Sequence, residues 1–257
     1  MPPTQHFTFD LAGALSDQLY EEARKKTLTQ APLTPSELKR VARIPGIYQL
    51  YKQGVLVYIG KADHDLRGRL EDHCRKISGR RKISTSEMSF TGLYLEGTWI
   101  PVAPETILTN RYRQDKKHGS EVSWFHSGFG MHDTGSERDT TTWKPDHWDV
   151  QYPIDLDFFV PGLAPGAHPV NEILPVIKHE LPYGFRFENQ WAKHPDYLAS
   201  SMTVPAGNLT AAQVFDLLVS SLPTGWRVIA LPGYVIMYKN KKDYPMATRI
   251  FKSESQL

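Results

Sequence analysis

The chain has 257 residues, 40% of them hydrophobic, and a formal net charge of +2 at pH 7. This length can bury a sizeable core with room for a second small domain, while a charge so close to zero gives no whole-chain argument for a nucleic-acid partner. The single cysteine, Cys74, excludes an internal disulfide and a zinc cluster of several thiolates, and it fits a reducing compartment.

The N-terminal residues predict a helical arm over residues 1–43. They contain neither the basic start nor the apolar core of a targeting segment, and no later run approaches the roughly 18 apolar residues of a membrane span. We therefore expect a cytoplasmic protein with no membrane partner. Leucines at a spacing of four favour a helix within residues 10–30, and the Thr-Pro-Ser-Glu of residues 34–37 has the pattern of a helix capping box.

Residues 45–61 predict a β-hairpin. Two runs rich in β-branched and aromatic residues flank Gly54, which suits the left-handed position of a three-residue loop over residues 52–54. With that loop Tyr48 would lie opposite Tyr58, about 5 Å away on one face of the sheet. Aromatic cross-strand pairs often only stabilise a sheet, so the pair alone does not indicate a site.

The next segment predicts a helix from about Leu66 to Ser78, closed by Gly79. Asp63 or Asp65 could cap its N-terminus. Its buried stripe would consist of Leu66, Leu70, Cys74 and Ile77. Residues 89–95 then predict a third strand, followed by extended chain over residues 99–102.

Arg69 and His73 lie four residues apart, so this helix would present them on one neighbouring face. Such a pair alone is usually solvated, but beside two paired tyrosines and Lys61 it becomes a candidate phosphate site. The same stretch concentrates positive charge, as a phosphate-backbone contact would require, although a solvated helix end followed by a basic loop has the same composition. Its eight basic residues are Lys61, Arg67, Arg69, Arg75, Lys76, Arg80, Arg81 and Lys82, against the four acidic residues Asp63, Asp65, Glu71 and Asp72.

Three motifs therefore occur in order: Gly46-Ile47-Tyr48, Tyr58-Ile59-Gly60 and Arg69-x-x-x-His73. In this order and spacing they resemble the GIY-YIG nuclease superfamily, and within it the small type II restriction endonucleases. Residues 101–105, which open a predicted helix over residues 105–113, look like the family helix that carries the metal-binding glutamate. Residues 128–133 resemble a loop of the same restriction enzymes. The resemblance covers residues 40 to 150.

The resemblance implies an α+β fold in which helices flank a small mixed or antiparallel sheet, with the nuclease domain over residues 44–160. It implies hydrolysis of phosphodiester bonds in double-stranded DNA at a short palindromic site, with one Mg²⁺ per active site and Mn²⁺ as an alternative. A palindromic site suits a homodimer. A restriction enzyme also implies a DNA methyltransferase acting on the same site, as a functional rather than a physical partner.

The resemblance also suggests a role for each motif residue. Tyr48 is the candidate general base, Arg69 would hold the scissile phosphate, and Glu105 would hold the metal ion. A glutamate in the first turn of a helix is electrostatically favoured in any case, so Glu105 rests on the resemblance. Tyr58 and His73 would orient the water or the phosphate, and the spacing does not decide which tyrosine or imidazole takes the proton. Further DNA contacts are expected from Lys61, Arg75, Lys76, Arg80, Arg81, Lys82, His126 and His132.

The chain departs from the family pattern after the glutamate helix. The restriction enzymes have a Pro-x-Trp-Asn segment there, whereas Trp124 and Phe125 stand where Trp-Asn would, and His126 could replace the Asn. The histidines and aspartates of residues 114–149 lack zinc-ligand spacing, so we expect a loop-like region facing DNA, whose aromatic residues would equally suit loop anchors. Two alternatives stay open: a repair or mobile-element nuclease of the same superfamily, and a DNA-binding module with a decayed site.

Beyond residue 160 the sequence predicts an extra unit outside the resemblance. Pro and Gly residues mark a linker over residues 161–169. Thr210 and Gln213 can cap a helix through Leu222, and strands follow at residues 226–230 and 234–239. Residues 170–257 are therefore expected to form a small α+β domain, whose role could be target recognition, dimerisation or stabilisation.

Overall fold

The computed structural model describes residues 17–18, 21–22, 29–95, 122–124, 127–130, 136–188 and 190–253. They divide into two compact units, the first drawn from residues 1–74 and 85–130 and the second from residues 75–84 and 131–257. Each unit combines helices with its own four-stranded sheet, which confirms the predicted α+β class. In the described ranges no helix is long and apolar enough to cross a membrane.

The first unit is built on an antiparallel sheet. Its elements are β1 (Ala31–Pro32), α1 (Pro35–Leu38), β2 (Gly46–Lys52), β3 (Val55–Ala62), α2 (Leu66–Ser78), a 3₁₀ turn (Thr85–Glu87) and β4 (Met88–Tyr94). Residues 75–78 at the end of α2 belong to the second unit. The strand order is β1-β4-β2-β3, with every pair antiparallel. The predicted third strand is thus confirmed to within one residue. Upstream, residues 17–18 and 21–22 are helical, and the rest of the predicted N-terminal helix lies outside the described residues.

The hairpin is confirmed, but its turn is shorter than predicted. Gln53 and Gly54 form a two-residue turn in which both have positive φ, 51° and 81°. Such a turn matches the right-handed twist of the flanking strands. The register then shifts by one residue between Leu50 and Tyr51. The predicted three-residue loop is therefore wrong, and the pairing derived from it changes as well.

Tyr48 pairs with Gly60, and Tyr58 pairs with Leu50, so the two tyrosines are not directly opposite each other. Because Tyr58 and Gly60 are two residues apart on one strand, their side-chain positions share a face. The two phenol rings therefore meet diagonally on one face of the sheet, with centroids 6.1 Å apart. The predicted shared surface is right although the predicted register is wrong.

Helix α2 has the predicted bounds and the predicted cap. Asp65 Oδ1 accepts a hydrogen bond from the backbone N–H of Gly68 at 2.8 Å, so Asp65 is the N-cap. Asp63 instead pairs with Lys61, Oδ1 to Nζ at 2.8 Å. The predicted stripe is buried at all four positions: Leu66, Leu70, Cys74 and Ile77. This stripe anchors the helix, whose first residue packs against the sheet at Gly46 and Gly92.

The second unit holds the remaining elements. They are a 3₁₀ turn (Ser136–Thr140), α3 (Trp148–Gln151), β5 (Phe159–Val160), β6 (Gly166–Pro169), α4 (Val170–Glu180), β7 (Gly184–Arg186), a 3₁₀ turn (Trp191–Lys193), α5 (Pro195–Leu198), β8 (Ser201–Val204), β9 (Leu209–Thr210), α6 (Ala211–Ser220), β10 (Arg227–Ala230), β11 (Tyr234–Tyr238) and β12 (Arg249–Lys252). The main sheet has the order β12-β10-β11-β7, in which only the β11–β7 pair is parallel.

The core of the second unit lies on both faces of this sheet. Val228 and Val235 belong to one buried cluster with α4 and α6, whereas Ile229 and Ile236 pack with Trp143 in another. The predicted capping box at the start of α6 is present, as are both predicted C-terminal strands. The stretch predicted as a linker contains β6, which pairs with β8.

Candidate active site

The three motifs of the first unit meet in a group that we call the tyrosine–histidine cluster: Tyr48, Tyr58, Arg69, His73 and Phe129. Tyr48 Oη and His73 Nε2 share a hydrogen bond at 2.6 Å, and both side chains are almost fully buried, with 1% and 3% exposed. Arg69 Nε donates to the same phenol oxygen at 3.4 Å. One turn of α2 thus places a guanidinium and an imidazole on one hydroxyl group.

Aromatic rings enclose this hydrogen bond. The ring of Tyr58 lies 5.7 Å from that of His73, and Phe129 stacks on His73 at 4.8 Å with an interplanar angle of 21°. Phe129 also meets Tyr58 edge-on at 5.0 Å and packs against Trp124 at 4.6 Å. Because Phe129 and Trp124 are buried, they anchor the loop rather than contact a DNA groove. Of the two open readings of these aromatic residues, loop anchoring is the one that the structure supports.

Two glycines let the phenols occupy their positions. A Cβ atom at Gly60 would overlap the phenol of Tyr48, and a Cβ atom at Gly130 would overlap the hydroxyl of Tyr58. Any larger residue would have to displace the tyrosine. The last glycine of the second motif and a glycine of the 128–133 loop are therefore steric requirements of the cluster.

This arrangement can hold and move a proton. The phenol and the imidazole are already at hydrogen-bond distance, so a proton can pass between them without movement of the heavy atoms. Arg69 places a positive charge beside this phenol oxygen. Lys61, the other predicted cation, has only 7% of its side chain exposed and pairs with Asp63.

The residues predicted to contact DNA differ in whether their side chains are exposed or contact other parts of the protein. Arg81 and Lys82 are exposed, whereas Arg75 donates to the backbone carbonyls of His179 and Leu181 in the second unit. Lys76 lies over the ring of Trp148 at 4.8 Å. His126 and His132 lie outside the described residues.

Arg80 is buried and its guanidinium is engaged inside the second unit. It pairs with Asp149, Nη1 to Oδ1 at 3.0 Å, and donates to the carbonyl oxygens of Pro232 and Gly233 at 3.1 Å each. Only 6% of the residue is exposed. The guanidinium of Arg80 is thus engaged in the fold of the second unit, and its contact with DNA stays a prediction.

The proposed metal ligand lies outside the described residues, as do its helix and the rest of residues 96–121. In the described part of the chain, no group of three or more His, Cys, Asp or Glu side chains is arranged to hold a metal ion. A single carboxylate ligand that is supplemented by water and phosphate would not form such a group.

No protein-family model matches the chain, and no curated protein is significantly similar to it.

Proposed function

We propose that this protein is a metal-dependent endodeoxyribonuclease of the type II restriction class, which cleaves double-stranded DNA at a short palindromic site. The observation that carries the proposal is the hydrogen bond between Tyr48 and His73 with Arg69 at the same oxygen. The resemblance to the GIY-YIG nucleases assigns these residues to one active site. The convergence of these residues from two of the motifs on one phenol oxygen supports that assignment.

Hydrolysis of a phosphodiester requires a deprotonated water and charge stabilisation on the phosphoryl group. We assign the acceptance of the water proton to Tyr48, with His73 able to hold or return it. Arg69 would bind the scissile phosphate through its planar guanidinium, whose paired donors match two phosphate oxygens. Tyr58, on the same face of the sheet, would orient the water.

Glu105 would hold one Mg²⁺ or Mn²⁺ ion, and such a cation would supply charge stabilisation for phosphodiester hydrolysis. A homodimer acting on a palindrome, a cytoplasmic location and a methyltransferase of matching specificity complete the proposal.

The test is incubation of the purified protein with unmethylated plasmid and phage DNA, in Mg²⁺ or in EDTA, alongside Glu105→Gln. We expect discrete Mg²⁺-dependent fragments, none from Glu105→Gln, and unchanged DNA binding by that variant. Glu172→Gln, at an exposed position on α4, is the matched control and should cut like the parent. Cutting by Glu105→Gln at the parent rate would overturn the metal assignment.

A second candidate is a DNA-binding module with a decayed site, which is favoured by Phe125 at the family's Asn position. Binding without cleavage under Mg²⁺ would support it, and Phe125→Asn would then be the first change to restore activity. Nicking or a preference for branched DNA would instead indicate the repair or mobile-element alternative.

A further inference from the structure

The second unit contains an open cleft of about 730 Å³. Its lining comes from the end of α4, from β7 and the chain that follows it, and from residues 75–80. The volume lies within the range of small-molecule sites in proteins. The tyrosine–histidine cluster contributes no residue to it, so the cleft needs an explanation of its own.

One wall of the cleft is aromatic. Phe187 and Trp191 are half-buried and perpendicular to each other, with ring centroids 6.2 Å apart and an interplanar angle of 89°. Phe185 is fully buried behind them and meets Phe187 edge-on at 5.2 Å, which fixes that ring. A rigid and partly exposed aromatic surface of this kind can stack a planar base.

The cleft also carries an excess of positive charge. Among the described lining residues there are five cationic side chains and one carboxylate. The cationic residues are Arg75, Lys76, Arg80, Arg138 and Lys178. The carboxylate, Asp149, is already bound by Arg80 at 3.0 Å and by Arg138 at 3.3 Å. Asp149 is therefore shared by two of the five lining cations.

Two of these cationic side chains are placed to bind a negatively charged ligand. Lys178 is exposed and forms no ion pair with any described residue, and its Nζ lies 5.4 Å from the centroid of the Phe187 ring. Arg75 is exposed and, within the described chain, donates to neutral backbone carbonyls, so its positive charge stays uncompensated. Lys178 therefore places a positive charge directly beside the aromatic wall of the cleft.

We propose that this cleft binds a nucleotide, with the base against Phe187 and Trp191 and the phosphate near Lys178 and Arg75. An acidic peptide would satisfy the cations but would leave the aromatic wall unused, and an uncharged aromatic compound would leave the cations without a partner. A nucleotide satisfies both. It could be a free mononucleotide or one nucleotide of a DNA single strand, because the recognised chemistry is the same.

Binding to the full-length protein should be measured by calorimetry in EDTA, so that the result does not depend on cleavage or on the proposed nuclease function. The probes are dTMP, thymidine, inorganic phosphate, a ten-residue oligo(dT) and poly-glutamate. We expect dTMP or oligo(dT) to bind more tightly than phosphate, thymidine or poly-glutamate. Binding of dTMP would identify a free nucleotide as sufficient, whereas binding of oligo(dT) alone would identify a DNA strand as the source.

Two variants with matched controls locate the binding site. Phe187→Ala and Lys178→Gln should each weaken nucleotide binding by about five- to a hundredfold. Phe159→Ala removes an exposed phenylalanine outside the cleft, and Lys193→Gln removes an exposed lysine near Trp191 that does not line it. Both controls should bind like the parent.

Three results would overturn the proposal. They are phosphate binding as tight as that of the nucleotide, poly-glutamate binding as tight as that of the nucleotide, and nucleotide binding that survives both cleft variants unchanged. Because Lys178 is exposed, Lys178→Gln should fold normally and keeps the test valid even if Phe187→Ala does not fold.

Discussion

Two buried polar groups in this chain are assembled in opposite ways. The tyrosine–histidine cluster takes Tyr48, Arg69 and His73 from a hairpin and the helix that follows it. Arg80 finds its partners much further away, with Pro232 separated from it by 152 positions. The first assembly follows from local spacing, whereas the second appears only when the whole second unit has folded.

The two groups also differ in what their donors reach. The phenol of Tyr48 meets an imidazole and a guanidinium, groups that can exchange or stabilise a proton. The donors of Arg80 reach a carboxylate and backbone carbonyls, and burial lowers the pKa of Arg80 although Asp149 opposes that shift. A buried cation that is bound by main-chain oxygens stabilises the fold, whereas a buried phenol that is bound by titratable side chains is suited to catalysis.

The largest effect on stability is expected from Arg80→Ala. The change leaves the carboxylate of Asp149 buried with one arginine fewer and removes the donors to Pro232 and Gly233. Breaking a buried ion pair from one side costs about 3–5 kcal/mol of the free energy of unfolding. Urea denaturation measures this loss. Arg80→Met combined with Asp149→Leu should recover much of it, and a loss below about 1 kcal/mol for Arg80→Ala would refute the structural role.

Arg69→Ala should leave the free energy of unfolding nearly unchanged. It should lower kcat/KM for DNA cleavage, with a loss of about 2–4 kcal/mol of transition-state stabilisation. The matched control is Arg67→Ala on the same helix, where the guanidinium pairs with Glu71 at 2.8 Å instead of reaching Tyr48. Single-turnover cleavage assays separate the two variants. Equal activity of Arg69→Ala and Arg67→Ala would place Arg69 outside the active site.

Gly60→Ala tests how tightly the cluster is packed. The added methyl group would overlap the phenol of Tyr48, so we expect a loss of about 1–3 kcal/mol in the free energy of unfolding. Gly184→Ala is the control, because its Cβ would lie 3.5 Å from Tyr234 Cβ, an ordinary van der Waals distance. Thermal unfolding of both variants gives the comparison, and similar losses would show that Gly60 is not sterically required.

The smallest effect concerns pH and His147. Burial lowers the pKa of His147, and Arg138 adds to the shift while Asp149 opposes it. The two ring nitrogens face donors, Arg138 Nη2 at 2.8 Å and the backbone N–H of Asp149 at 3.2 Å. The neutral ring can accept a hydrogen bond from one of them, whereas the protonated ring could accept from neither. Since the folded pKa lies below the unfolded value of about 6.5, this stability is complete above that pH and is lost as the pH falls through the folded pKa.

His147→Asn keeps a capping side chain for α3 but does not titrate. The free energy of unfolding of this variant should therefore fall less between pH 7 and pH 5 than that of the parent. Parallel curves for the two proteins would contradict the assignment to His147.

Local rules predicted the features that depend on neighbouring residues. Helix α2, its Asp65 cap and the capping box of α6 follow from residue type and spacing, and all three are present. The hairpin register could not be predicted, because it depends on Gln53 taking a positive φ and on a one-residue shift beside Leu50. Neither feature is specified by the hydrophobic pattern.

Long-range partners explain the other differences. The position of Arg80 within a basic run suggested a surface role, since its partner Asp149 and its carbonyl acceptors are remote in sequence. Phe129 lies in the loop of residues 128–133 that resembles one in the restriction enzymes, but nothing in the neighbouring sequence indicated that it would stack on His73. Both residues become interpretable only after distant segments are brought together.

The opening of helix α2 in the first unit can be measured through the alkylation rate of Cys74. Its thiol is buried beside His73 in α2, burial raises its pKa, and Sγ donates to the carbonyl of Leu33 at 3.5 Å. An alkylating reagent can therefore reach it only when α2 opens. Cys74 is the single cysteine of the chain, so no engineered probe is needed. Its labelling rate under native conditions would report the free energy of opening of α2 at the residue next to His73, the proposed proton carrier.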